Sequence, residues 1–340
     1  MNYLGDAADA VDNWGKIGVL LVNLGSPEAP TAAALKPYLK EFLWDPRVVE
    51  MSRPLWWLIL NGIILRTRPA KSAHAYQSVW TEQGAPLLVI SRAQTQAISG
   101  RLQQQWGDKV VCQLAMRYGQ PSVAHGLASL KKAGVGRVLV LPLYPQYSAS
   151  TVASVHDAVF TELQRWRRMP EIRTVNEYHV HPGYISALAS SIREHWQQHG
   201  RAKRLLFSFH GMPQRYVDNG DPYRTHCEAT AKATANQLGL QSDEWQVSYQ
   251  SRFGKEEWLR PYTDETLIRW GKEGLESVEV VCPGFSADCL ETIEEINVEN
   301  RQHFIGHGGL QFHYIPALND REDHVQALCD VIARNVSGWI

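Results

Sequence analysis

The chain has 340 residues, with 34 Lys and Arg against 35 Asp and Glu and a formal net charge of -1. That length holds one large domain or two with a sizeable core, and the near-cancellation of charge argues against a nucleic-acid footprint or an acidic tail. Five cysteines, at positions 112, 227, 282, 289 and 329, are odd in number and contain no C-x-x-C pair. They argue against a disulfide framework and a tetrathiolate metal site, and suit a reducing compartment.

The first 16 residues are acidic and polar and lack the charged-then-apolar pattern of a secretory leader. Short apolar runs then predict strands at 17–23, 110–116, 137–143, 172–178, 204–209, 246–250, 277–281 and 311–315. Most are continuous in Val, Leu and Ile rather than alternating, as in strands covered on both faces. Helical stretches separate them, among them 123–132, 184–198, 227–238 and 263–272. Such alternation predicts an α/β architecture with parallel sheets. The segment 45–70 interrupts the first half and is rich in Trp and Leu, flanked by Arg47, Arg53, Arg66, Arg68 and Lys71. It reads as a core helix with solvated ends, as an apolar lip over a binding cleft, or as a patch resting on a membrane surface. Its longest apolar run, 55–65, has eleven residues. A membrane-spanning helix needs about 20, so the chain reads as cytoplasmic, with peripheral membrane contact left open.

The strands fall into two sets of four whose ends echo one another. Asn23-Leu24-Gly25-Ser26-Pro27 matches Phe209-His210-Gly211-Met212-Pro213 in outline, and Arg117-Tyr118-Gly119 matches Arg252-Phe253-Gly254. Leu141-Pro142 through Ala149 resembles Cys282-Pro283 through Ala287. Gly and Pro after strands are ordinary turn chemistry, yet the common order predicts two similar domains facing one another. The expected organisation is a first domain over 14–180 with 45–70 inserted, a second over 181–319, and a C-terminal helix over 320–340 that packs back on the first.

Two strand ends carry candidate chemistry. His210 directly follows the strand 204–209, where an imidazole is exposed and can serve as base or metal ligand near neutral pH. After the strand 277–281 comes an acidic run, 288–295. At about 100° per residue, Asp288, Glu291, Glu295 and Glu299 share an arc of roughly 80°. A line of carboxylates can relay protons or guide a cation; acids in a first helical turn also simply complement the helix dipole. Across the crevice at the carboxyl ends of parallel strands, an imidazole facing a carboxylate can hold a divalent metal or move protons. The pairs His179/His181 and His303/His307 have ligand-like spacing but no third ligand close in sequence. Gly306-His307-Gly308-Gly309 lacks the spacing of a phosphate-binding loop.

Taken together, these segments resemble the ferrochelatase family, enzymes that insert ferrous iron into a porphyrin to make haem. The matching stretches are 18–27, Phe42-Leu-Trp-Asp-Pro-Arg-Val-Val-Glu50, Arg117-Tyr-Gly119 and Tyr144-Pro-Gln-Tyr-Ser-Ala-Ser-Thr151. They continue through Phe207-Ser-Phe-His-Gly-Met-Pro213, Gly220-Asp-Pro-Tyr223, Tyr249-Gln-Ser-Arg-Phe-Gly254, Phe285-Ser-Ala-Asp-Cys-Leu-Glu-Thr292 and Tyr314-Ile-Pro-Ala-Leu-Asn319. The resemblance implies a chelatase fold of two Rossmann-like domains, each a four-stranded parallel sheet flanked by helices, with porphyrin held between them. It places the catalytic, iron-contacting pair on His210 and Glu291, and porphyrin contacts on Arg117, Tyr118, Tyr147 and Ser148. Asp288 and Glu295 would line a proton or metal path. Ferrous iron and a porphyrin, protoporphyrin IX in the final step of haem synthesis, are then the substrates. No nucleic-acid partner is implied, and the oligomeric state is not readable. Some members end in a cysteine-rich extension that binds an iron–sulfur cluster; with only Cys329 near the end here, none is expected. Others carry His two residues before the glutamate, where this chain has Cys289. A chelatase for another metal and tetrapyrrole, such as coproporphyrin or a corrin precursor, is the nearest alternative, and a non-catalytic tetrapyrrole carrier the next.

Overall fold

The structure is a computed structural model that describes residues 3–5 and 14–340. Most of the segment inspected for a leader pattern lies outside the described residues. Eight strands form two four-stranded parallel sheets. The first contains β1 (Lys16–Asn23), β2 (Val110–Met116), β3 (Val135–Pro142) and β4 (Glu171–Thr174), in the order β2-β1-β3-β4. The second contains β5 (Arg204–His210), β6 (Trp245–Gln250), β7 (Ser277–Val281) and β8 (Gln311–Ile315), in the order β6-β5-β7-β8. The wiring is the same: each set starts in an inner strand, adds a neighbour on one side, then crosses to the other. That reversal is a topological switch point, the place where open α/β sheets bind ligands beyond their strand ends.

Two compact units follow from this. One comprises Met1–Tyr144, Ser148–Asn176 and Leu328–Ile340; the other comprises Pro145–Tyr147 and Glu177–Ala327. In the second unit, Leu205, Phe207 and Phe209 of β5 pack with Tyr249, Cys227, Ala231 and Ala235 on one face of the sheet. Leu206, Val278, Val280 and Phe312 pack with Leu267, Trp270 and Ile296 on the other. Alternate residues of β5 thus enter opposite layers, which explains why the strand is apolar throughout. The polar exception, Ser208, is buried and hydrogen-bonds Gln250 and Thr263. In the first unit, Leu20, Val22, Val138 and Val140 pack with Leu127, Leu130, Val155 and Val159 in the same manner.

The expected strands are present, and three of them (β2, β7 and β8) have the predicted bounds. β4 is shorter than expected, ending at Thr174. After it, the Val175 amide still donates to the Val140 carbonyl, but that of Tyr178 donates to Pro145. Val175 and Tyr178 are buried as side chains without continuing the ladder. Burial alone produced the longer reading.

The Trp-rich insertion is helical: Arg53–Ile59, a π-helical turn Leu60–Ile64, then Leu65–Val79. Trp56, Leu60 and Ile64 are buried, whereas Leu55, Trp57, Leu58 and Ile63 are more than half exposed. It is therefore a core helix along one stripe and an open apolar surface along the other. Among the described residues, no helix is long and apolar enough to cross a membrane.

Candidate active site

β5 ends at His210, whose main chain is still in register with Gln250 of β6. Gly211 follows directly, and its amide donates to the Gln250 carbonyl. A Cβ at Gly211 would sit 2.7 Å from that oxygen, so the close approach of the two strand tips requires glycine. The imidazole leaves the sheet exposed, with its Nδ1 2.7 Å from the Gly211 carbonyl. A carbonyl can only accept, so Nδ1 carries the proton in the neutral ring and Nε2 keeps its lone pair. The ring of Phe285, from the loop after β7, lies 6.5 Å from the imidazole centroid.

Gln250 connects this tip to the acidic segment. Its amide oxygen accepts from Ser208 and from the Cys282 thiol, while Nε2 donates to the Glu291 main-chain oxygen at 3.0 Å and to Glu295 Oε2 at 3.4 Å. All the hydrogen-bonding positions of this buried amide are used, so it can hold its two neighbours in only one arrangement. Next to it, Ser251 takes a left-handed backbone with φ of 63°, uncommon outside glycine. That conformation turns both its amide and its hydroxyl to the Glu295 carboxylate, at 2.7 and 2.5 Å. Even so, burial, with help from the nearby Glu291 charge, pushes the Glu295 carboxyl up to about 7 against the hydrogen bonds from Ser251 and Gln250. Glu291 is half-buried, and its charge lies close to the Cys289 thiol. Burial and these carboxylates keep that thiol protonated.

The acidic segment is a π-helix over Glu291–Asn300, not the α-helix assumed for the single-arc reading. Its wider turn changes the angular spacing, and Asp288 precedes it as loop. The Asp288 carboxylate accepts from Thr292 and Tyr314 hydroxyls at 2.8 and 2.6 Å, from the Ala317 amide, and from the Asn319 side chain. These donors occupy its lone pairs, so Asp288 pins the loop between β7 and β8 rather than lining a path. Glu299 is exposed.

The porphyrin-contact expectations meet a different environment. Tyr118 is only 1% exposed, and its hydroxyl donates to Asp45 Oδ2 at 2.8 Å. Arg117 reaches the same oxygen at 2.5 Å and binds Ser154 through Nε. The Ser154 hydroxyl also donates to Asp45. A ring buried on both faces offers none to a ligand, so Tyr118 is part of the framework. Arg117, with 17% of its side chain accessible, is largely neutralised in the same network. Ser148 is buried as the N-cap of the π-helical turn Ala149–Ala153, its oxygen accepting from the Ser150 amide. Tyr147 is half-buried, and its amide donates to His226 Nδ1. A cavity of 590 Å³ between the helix Pro86–Trp106 and β2 is lined by none of the candidate residues.

Sequence reasoning missed Gln250, Ser251, Asp45 and Ser154. Gln250 and Ser251 sit inside the stretch Tyr249–Gly254, where a polar pair at a strand tip was the available signal, and Asp45 sits inside Phe42–Glu50. Asp45 and Ser154 are 109 residues apart, and no local spacing links them.

Paired parallel sheets with this wiring define a chelatase fold. The chain superposes on SirB from Bacillus subtilis, solved with Fe3+, at a TM-score of 0.57 and 11% identity, over 95% of this chain and 96% of that one. It also superposes on the sirohydrochlorin chelatase SirB of subspecies spizizenii in complex with cobalt, at 0.53 and 11%, over 94% and 95%. The ferrochelatase family model matches residues 16–336. The chain is 58% identical over 323 residues to the ferrochelatase of Thioalkalivibrio sulfidiphilus strain HL-EbGR7, covering 95% of this chain and 88% of that relative. It belongs to the ferrochelatase family.

Proposed function

We propose that this protein inserts ferrous iron into protoporphyrin IX, with His210 and the pair Glu291–Glu295 as its working groups. Metalation replaces two pyrrole protons with one Fe2+, so the site must accept two protons while it delivers a dication. The open Nε2 of His210 takes the first proton or holds the incoming iron, a role suited to an imidazole whose other nitrogen is already committed. Glu291 lies one hydrogen-bonded residue away, through Gln250, and offers negative charge to the metal. Glu295 lies behind it, with a carboxyl near half-protonation at neutral pH. A carboxyl poised there passes a proton in either direction with little driving force wasted. One imidazole and one carboxylate bind a divalent ion without closing a cage around it, which lets the metal leave for the ring. Binding a buckled ring better than a flat one would lower the barrier further.

The observation that carries the reading is the Gln250 bridge, which joins the tip of β5 to the Glu291 main chain and the Glu295 carboxylate. Anaerobic incubation of the purified protein with Fe2+ and protoporphyrin IX, or coproporphyrin in parallel, tests it by absorbance. Enzyme-dependent loss of the free-base bands is expected, fastest with protoporphyrin. No enzyme-dependent change with either porphyrin would refute the reading, and a clear preference for coproporphyrin would reassign the substrate. The exposed stripe of Leu55, Trp57, Leu58 and Ile63 supports an apolar lip or a peripheral membrane contact.

A further inference from the structure

Away from these residues, a second group of ligand-type side chains comes together in the same unit. Glu177 and His179 lie between β4 and the helix Pro182–His199, and His226 lies on the helix Tyr223–Leu238. One ligand atom from each falls within 4.8 Å of the other two. We propose that Glu177, His179 and His226 form an auxiliary site for a borderline divalent transition metal such as Zn2+, separate from the iron-insertion site.

Sequence spacing offered His179 only His181 as a partner; the third ligand arrives from nearly 50 residues away, and folding delivers it. Two features point to a ligand. The Nδ1 of His179 is buried and has no hydrogen-bond partner among the described residues, which a folded protein ordinarily avoids. In addition, the ligand backbone is held before any ion arrives. The Thr230 hydroxyl lies 2.9 Å from the His179 carbonyl and 3.0 Å from that of His226, and accepts from Gln146. The two imidazoles stack at 3.8 Å between centroids, tilted by only 8°. Burial, reinforced by His226, lowers His179 to about 4. Burial lowers His226 as well, toward the neutral form that ligates.

Two imidazoles and one carboxylate suit Zn2+, Co2+ or Ni2+ better than Mg2+ or Ca2+, and three protein ligands leave a coordination position open. Loading requires the stacked rings to fan apart, because their lone pairs now lie in nearly parallel planes. It also competes for the lone pair of His226 that accepts the Tyr147 amide at 3.2 Å. The exposed Glu177 provides the third ligand.

The proposal does not rest on the iron-insertion reading, and its test removes that site. In full-length His210→Ala/Glu291→Gln protein, Co2+ titration should show one equivalent with the intense visible bands of four-coordinate cobalt, displaced by Zn2+. Adding Glu177→Gln, which alters an exposed side chain, or His179→Ala should weaken binding by at least the roughly 10–100-fold expected for loss of a supporting group. Thermal melts identify any variant that fails to fold; Glu177→Gln carries the test if His179→Ala does. No bound equivalent in the double variant, or affinity unchanged by Glu177→Gln, would overturn the proposal.

Discussion

The two strand tips that occupy equivalent places in the two sheets differ in one respect: whether their charges are satisfied. In the first unit, Gly25 passes so close to the Tyr118 carbonyl that a Cβ would lie 1.8 Å from it. In the second, Gly211 approaches the Gln250 carbonyl in the same way. The Met116 amide donates to Pro121, as that of Tyr249 donates to Pro261. Beyond these matching backbones, Arg117, Tyr118 and Ser154 converge on a single Asp45 oxygen and saturate it. At the other tip, Nε2 of His210 is left open, and Glu291 is held near enough to oppose the ionisation of Glu295. One tip has its charges internally satisfied and the other leaves titratable groups open, from a common backbone plan.

Four changes would break or sharpen that contrast. The largest effect is expected from His210→Ala, which should reduce iron insertion by at least about 100-fold, the usual reach of a general base or acid, with an unchanged thermal midpoint because the ring is exposed. Activity within a few-fold of wild type would remove His210 from the chemistry. Glu291→Gln should slow insertion by roughly 10–100-fold while fluorescence still reports porphyrin binding; lost binding with an intact rate at saturation would make it a docking residue. At the other tip, Asp45→Ala should cost stability instead. It strands a mostly buried guanidinium and two hydroxyls, a loss of roughly 3 kcal/mol in urea denaturation. The smallest effect is a pH dependence. The folded state keeps the Glu295 proton up to about 7, whereas the ordinary value is 4.5. Folded protein therefore binds more protons across that window, and stability falls as pH rises through it, by at most roughly 3 kcal/mol. Glu295→Gln should flatten this component between pH 5 and pH 8, and an unchanged slope would show that Glu295 titrates normally.

Continuous apolar runs were enough to find the strands and their order of appearance, because β1, β3, β5 and β7 are buried on both faces over most of their length and so are largely apolar. The repeated tip motifs likewise anticipated the shared wiring. Roles at the tips were less legible. Arg117 and Tyr118 look like ligand contacts in one dimension, since Arg followed by Tyr after a strand is polar and aromatic. Their partner Asp45 lies 72 residues earlier than Arg117, so nothing local shows that they are already occupied. The same limit hid Gln250, whose importance lies in what it joins. Assuming about 3.6 residues per turn placed Asp288 on the acidic face; a π-helix has a different pitch, and no propensity rule marked the segment as one.

That wide helix has a consequence for how the family can vary. Each of its hydrogen-bonded rings encloses one residue more than an α turn does. Deleting a single residue between Glu291 and Glu295 would let the segment tighten to ordinary pitch, rotating everything after the gap relative to β6. Glu291 would stay put while Glu295 swung away from Ser251, uncoupling the two carboxylates without altering either. Along this stretch, chain length is as decisive as side-chain identity for keeping Glu291 and Glu295 together.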